Sequence, residues 1–169
     1  MSGVVARLEF DPARGALSYQ GVRYLLIRPE PLAVIYRGML EAGLPPGEVF
    51  YRAGYEGGVR SGTHFRERFG QSPEGAVRFM AGMGAEIGWG AMTLSRLDPD
   101  QGELVLEVAG SPFAEALGPA AEPVCHLIRG VFGGVAEGLL GWTASAVETD
   151  CLATGAPRCV FVVRDLGRG

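Results

Sequence analysis

Two hydrophobic periods divide this chain. Between residues 4 and 27 apolar positions follow the pattern of a β-hairpin. An apolar run reaches Phe10, Asp11-Pro12-Ala13-Arg14-Gly15 supplies turn residues, and Val22, Tyr24 and Leu26 then alternate with other residues before Pro29. From Pro31 the period lengthens: Leu32, Ile35, Tyr36, Met39 and Leu40 recur at helical spacing, and Gly43, Pro45 and Pro46 end the run. A second helical pattern opens near Gly47 and aligns Tyr51, Tyr55, Gly58, Gly62, Phe65 and Phe69 on one stripe. A third places Ser72 as N-cap and Pro73 at the first helical position, with Val77, Met80, Ala81, Gly84 and Ile87 along one face.

The period of two then returns. Residues 90–97 and 103–109 flank Asp98-Pro99-Asp100-Gln101-Gly102, and Leu104, Leu106 and Val108 alternate with Glu103 and Glu107, as in a hairpin with one wet face. Ser111-Pro112 begins a short helical turn. A last helix is expected from Pro123, with Leu127, Ile128, Val131, Phe132, Val135 and Leu139 on its apolar side. Gly130, Gly133, Gly134 and Gly138 form a side that another backbone can approach closely. Segments 143–151 and 159–164 close the chain as a hairpin, and the unbroken apolar run Val160-Phe161-Val162-Val163 predicts a strand buried on both faces. This order predicts an α+β fold with an antiparallel sheet and helices packed on one side. It reads as one domain over 1–169: an N-terminal hairpin 4–27, a helical layer 31–88, and a sheet with the last helix over 90–165.

Composition narrows the function classes. The chain is 47% hydrophobic and 20% charged, enough for one core, and its net charge of −4 without a basic run argues against nucleic acid as a partner. The segment from Met1 to Arg7 lacks the marks of a signal peptide, so a cytoplasmic protein is expected. The longest mostly apolar stretch, 123–142, is interrupted by His126, Arg129 and Glu137, which disfavours a membrane span.

Three cysteines in a reducing compartment argue against a disulfide framework. Cys151 and Cys159 flank a short turn, and Cys125 lies at the start of the last helix. Zinc takes thiolate, imidazole and carboxylate ligands in a tetrahedron, and three thiolates with one carboxylate would close such a site. Glu148, Asp150 and His126 compete for the fourth place. On an unbroken strand Glu148 and Cys151 point to opposite faces, so Glu148 can ligate only if the strand bends near Thr149 or Asp150. The plain alternatives stand beside the metal: small buried hydrophobes, a Cys151–Cys159 disulfide, or an unrelated free thiol at Cys125.

Catalytic signatures are sparse. Gly82-Met83-Gly84-Ala85-Glu86-Ile87-Gly88 has the wrong spacing for a dinucleotide loop and continues a helix. His64 and His126 stand near no evident nucleophile, so no catalytic residue is assigned. Tyr55, Phe65, Phe79, Trp89 and Phe132 are core aromatics by default. Aromatics interleaved with glycines also leave gaps that can admit an apolar ligand, which makes these five the candidate pocket residues.

The segments Val124-Cys125-His126-Leu127-Ile128-Arg129-Gly130 and Glu148-Thr149-Asp150-Cys151, continuing to Cys159-Val160-Phe161, resemble the 4-vinyl reductase domain family. Its members include a bacteriochlorophyll 4-vinyl reductase component, sensory domains of phenol- and toluene-responsive regulators and, more distantly, TRAPP vesicle-tethering subunits. The resemblance implies a fold like that of TRAPP subunits and nitric-oxide-signalling ligand-binding domains. It also implies a homodimer, an apolar pocket, and a structural zinc ion held by Cys125, Glu148, Cys151 and Cys159. The expected function is that of a stand-alone sensory or regulatory domain, stabilised by zinc, that takes up a small hydrophobic or aromatic molecule and passes the signal to a protein partner. A reductase or accessory subunit acting on a vinyl tetrapyrrole, and a protein-assembly module, are the competing readings.

Overall fold

The computed structural model describes residues 3–69 and 72–168, without the side chains of Arg68 and Phe69. Met1 and Ser2, and the place of Phe69 on the helical stripe, therefore lie outside the described residues. Secondary structure runs in the order expected of an α+β chain, with every strand pairing antiparallel.

The N-terminal segment departs from the expected hairpin. After a 3₁₀ turn at Val5–Arg7 it forms three short strands, β1 (Glu9–Asp11), β2 (Ala16–Tyr19) and β3 (Val22–Tyr24), paired in that order. Asp11 Oδ1 accepts from Ala13 N and Arg14 N to shape the first turn. The second is the two-residue turn Gln20-Gly21, in which both residues have positive φ (54° and 80°), the geometry that matches the twist of antiparallel strands. Leu26, expected in a strand, lies in the irregular connector that follows.

Three helices come next. Helix α1 (Pro29–Glu41) starts with Pro29 in its first turn. Its predicted apolar stripe is divided: Leu32, Tyr36 and Met39 are partly buried, whereas Ile35 and Leu40 face outward. Helix α2 (Pro46–Phe69) is about 36 Å long at 1.5 Å per residue. Helix α3 (Pro73–Glu86) is capped as expected, with Ser72 Oγ accepting from Gly75 N at 3.2 Å.

The second sheet has four strands in the order β4 (Ala91–Asp98), β5 (Glu103–Ala109), β7 (Cys159–Asp165), β6 (Ala144–Asp150). Its inner face buries Leu104, Leu106, Val108, Cys159, Phe161 and Val163. Val160 and Val162 are only half-buried, so β7 alternates and is not covered on both faces as its apolar run suggested. The outer face carries ion pairs, among them Arg96 and Arg164 with Glu103.

A short helix α4 (Pro112–Leu117) and then α5 (His126–Val135) cross to the inner face, and α5 continues as a π-helical segment, Ala136–Leu140. Helix α2 packs on α5 with the backbones in direct contact. Gly54, Gly58 and Gly62 of α2 alternate with Gly130, Gly134 and Gly138, each set repeating every four residues. A Cβ at Gly58 would strike the Val131 carbonyl oxygen, and one at Gly134 would strike that of Tyr55. Beside this contact Tyr55 Oη donates to Glu137 Oε2 at 2.5 Å and lies 3.3 Å from the Ala144 carbonyl. Burial and that carboxylate hold the Tyr55 hydroxyl well above its ordinary pKa. Among the described residues no helix is long and apolar enough to cross a membrane.

Candidate functional site

Cys125 is the N-cap of α5 and not part of its first turn, as a helix starting at Pro123 would have made it, because Pro123 and Val124 remain in the loop that leads in from α4. Its backbone N–H, one of the unpaired donors at a helix start, donates to Glu148 Oε2 at 2.9 Å. Cys159 opens β7 and Cys151 follows the end of β6, separated from Cys159 by a 3₁₀ turn at Leu152–Thr154.

Glu148 reaches the same side through a bulge. In the β6–β7 ladder Glu148 pairs with Phe161 and Asp150 with Val160, so one extra residue, Thr149, lies between two consecutive partners. Ala144, Ala146 and Glu148 are buried by alternation, and the bulge then shifts the phase by one so that Cys151 is buried as well. Glu148 is only 6% exposed and the three cysteines 0%. The competing ligands go elsewhere. Asp150 is exposed and accepts from Thr149 Oγ1, while His126 stacks on Tyr36 with ring centroids 6.0 Å apart.

The four candidate ligand atoms lie within 4.8 Å of one another. Cys125 Sγ is 4.0 Å from Cys151 Sγ and 3.7 Å from Cys159 Sγ. Thiolates at about 2.3 Å from a tetrahedral zinc would stand about 3.8 Å apart. All three cysteines are free, which excludes the Cys151–Cys159 disulfide. Sulfur atoms are also held from outside the set: Ser111 Oγ is 3.1 Å from Cys125 Sγ, and Leu152 N donates to Cys159 Sγ at 3.3 Å.

Without a cation these groups cannot all be charged. Burial, with Cys151 beside it, pushes the Glu148 carboxyl up to about 8. Hydrogen bonding to Cys151 and Cys159 and burial hold the Cys125 thiol far above its usual range, while hydrogen bonds from Cys125 and Cys159 stabilise a thiolate at Cys151. Glu148 Oε1 is buried and has no hydrogen-bond partner. A cation among the four groups would remove that cost, so the donor set fits a metal ion with thiolate and carboxylate ligands.

A separate cavity of about 270 Å³ lies between the small sheet, α3, α5 and the inner face of the large sheet. Its walls include Val77 and Met80 of α3, Leu104 and Leu106 of β5, and Ile128 and Phe132 of α5. Of the five aromatics expected around a pocket, Trp89 and Phe132 line it. Tyr55 is engaged with Glu137, and Phe65 and Phe79 pack on each other with centroids 5.3 Å apart, outside the cavity wall. Sequence reasoning missed Ser111 at the cysteine cluster, and Met83, Met92, Ser61 and Tyr24 in the cavity. Ser111-Pro112 signalled a helix cap, but nothing local placed that cap against Cys125.

Fold and site together define an α+β domain with a buried Cys₃Glu cluster that could hold a metal ion and, beside it, an apolar chamber. The V4R domain family model matches residues 104–165, from β5 through β7, which contain all four clustered residues. Comparison with curated proteins gives no match. Among solved structures, the chain is similar to the phenol-responsive sensory domain of the transcription activator PoxR with phenol. The TM-score is 0.87 at 21% identity, over 98% of this chain and 88% of that one. A vinyl-4-reductase family protein from Methanocaldococcus jannaschii matches with TM-score 0.55 and 16% identity, covering 80% of this chain and 76% of its own. A trafficking protein particle complex subunit 3 from Naegleria fowleri, covalently bound to palmitic acid, matches with TM-score 0.53 and 21% identity over 80% of this chain and 93% of its own. At these identities the likeness is one of fold.

Proposed function

We propose that this chain, as one domain, is a zinc-stabilised sensory domain that binds a small hydrophobic or aromatic molecule in the chamber. The observation that carries the reading is the double use of α5. The residue capping its start, Cys125, belongs to the cysteine cluster, and about one and two helical turns on, Ile128 and Phe132 form part of the chamber wall. A metal there would fix the helix that shapes the pocket. Likeness to a domain solved with phenol supports a ligand of this kind.

Zinc would be held by Cys125, Glu148, Cys151 and Cys159. With four protein ligands it would have no open position for water or substrate, so it would supply folding free energy and not chemistry. Ser111 and the Leu152 N–H would orient the sulfurs from the second layer. The reading includes a homodimer in the cytoplasm. Val34, Ile35 and Leu40 of α1 and Leu44 beyond it are 63, 52, 56 and 53% exposed, apolar side chains of the kind that a second copy would cover.

Native mass spectrometry of the purified protein tests the whole reading in one spectrum. Two chains, one zinc per chain and a retained or exchangeable small apolar compound are expected. A metal-free monomer with three titratable thiols would overturn it, and a retained tetrapyrrole would favour the reductase reading instead.

A further inference from the structure

The chamber is larger than a single ring requires. An engineered apolar cavity of roughly 150 Å³ is filled by benzene, whereas this one measures about 270 Å³. Three lining side chains carry a nitrogen or oxygen: Tyr24, whose hydroxyl lies 3.8 Å from Met83 Sδ, Ser61 and Trp89. Among the described residues Ser61 and Trp89 make no side-chain hydrogen bond. No lining residue brings a carboxylate, guanidinium or imidazole. A charged ligand would lose its hydration without compensation there, whereas a neutral one with a single hydroxyl could be satisfied. Met80, Met83 and Met92 line the space with thioethers that repack at low cost and pack well on aromatic rings.

The chamber also has a direction. Val77, Leu104, Leu106 and Ile128 form a fully buried floor. At the other end Leu25 and Leu26, 81 and 77% exposed, and the exposed Gly57 of α2 belong to the lining too, which makes them the mouth. A Cβ placed on Gly57 meets nothing within 4 Å, so that position is open space.

Resting on the small-molecule reading above, we infer that the chamber takes a neutral aromatic of about two fused rings, extending from the buried floor toward the Leu25, Leu26 and Gly57 mouth. Gly57 is a size-determining residue, since any side chain there would narrow the outer half and leave the floor intact. A compact monocyclic phenol would fill the inner half alone.

Calorimetric titration of the zinc-loaded full chain with phenol, 2-naphthol and naphthalene-2-sulfonate tests this. The expected result is that 2-naphthol binds at least tenfold tighter than phenol and that the sulfonate, of similar size but charged, does not bind. Gly57→Leu should weaken 2-naphthol at least tenfold while phenol affinity stays within twofold. Leucine is a good helix former at an uncrowded site, and unchanged phenol binding reports that the variant is folded. Phenol binding as tightly as 2-naphthol, sulfonate binding, or equal loss of both phenols in Gly57→Leu would overturn the inference while leaving the sensory reading intact. If none of the three probes bound the wild-type chain, the sensory reading itself would fall and the inference with it.

Discussion

Gly57 and Gly58 are neighbours on α2, yet alanine should act on them with opposite sign. At Gly58 an added Cβ lies 2.9 Å from Val135 N and 3.1 Å from the Gly134 carbonyl carbon, and closer still to the Val131 carbonyl oxygen. Favourable carbon contacts begin near 3.5 Å, so α2 and α5 would have to separate by on the order of 1 Å along their whole contact. Overpacking costs about 1–3 kcal/mol, and backbone that cannot rotate away belongs at the upper end. Alanine recovers about 1 kcal/mol of helix propensity, leaving a net loss of about 2 kcal/mol. For a chain of this size that is a fall in Tm of about 4–8 °C. Gly57→Ala meets nothing within 4 Å and keeps only the propensity gain, so its Tm should rise by about 2–4 °C. Differential scanning calorimetry of both variants at equal zinc loading measures the difference directly. If Gly58→Ala melted with or above Gly57→Ala, the direct backbone contact between α2 and α5 would be refuted.

Three further outcomes follow from the site. Cys159→Ser should remove zinc from the mass spectrum and cost more than about 4 kcal/mol in urea unfolding, the range of a lost metal, whereas a buried filler thiol would cost far less. Deleting Thr149 removes the bulge yet leaves Glu148 and Cys151 two positions apart, on one face of an unbroken β6, so zinc binding should be retained; loss of zinc from the deletion would refute this account of how Glu148 joins the cluster. Tyr55→Phe should cost about 1–2 kcal/mol by stripping a partner from the half-buried Glu137, measured against Glu137→Gln and the double variant in a thermodynamic cycle.

Helix α3, with Ser72 and Pro73 at its start, and the β4–β5 pair with alternating leucines were legible because their signals are local. The glycines of the last helix were read correctly as a close-approach side, but their partners on α2 required the packed pair. What remained hidden was each feature set by one residue out of phase. Gln20-Gly21 turns a hairpin into a three-stranded meander, because glutamine is not a residue that advertises positive φ. Thr149 inverts the facing of everything beyond it, and strand alternation alone would have set Glu148 and Cys151 on opposite sides. The apolar run in β7 suggested two buried faces, yet Val160 and Val162 sit on a face shared with ion pairs. Leu25 and Leu26 read as the end of a strand and instead form the rim of a chamber that only tertiary packing creates.

The two sheets give the chamber walls of unequal durability. The strands β1 to β3 have three, four and three residues and leave both edges of their sheet unpaired, while the wall opposite is built on seven-residue strands whose ends meet at the cysteine cluster. Opening free energies scale with buried contact and paired backbone, so the N-terminal meander forms a separate, weaker cooperative unit. Its amides between residues 9 and 24 should exchange with deuterium well before those between 104 and 108 or 159 and 163. If the chamber takes a guest, it could therefore enter and leave by transient loss of three short strands while the half that holds the cysteine cluster stays folded. Ligand residence time would then be set by how often that small sheet unzips.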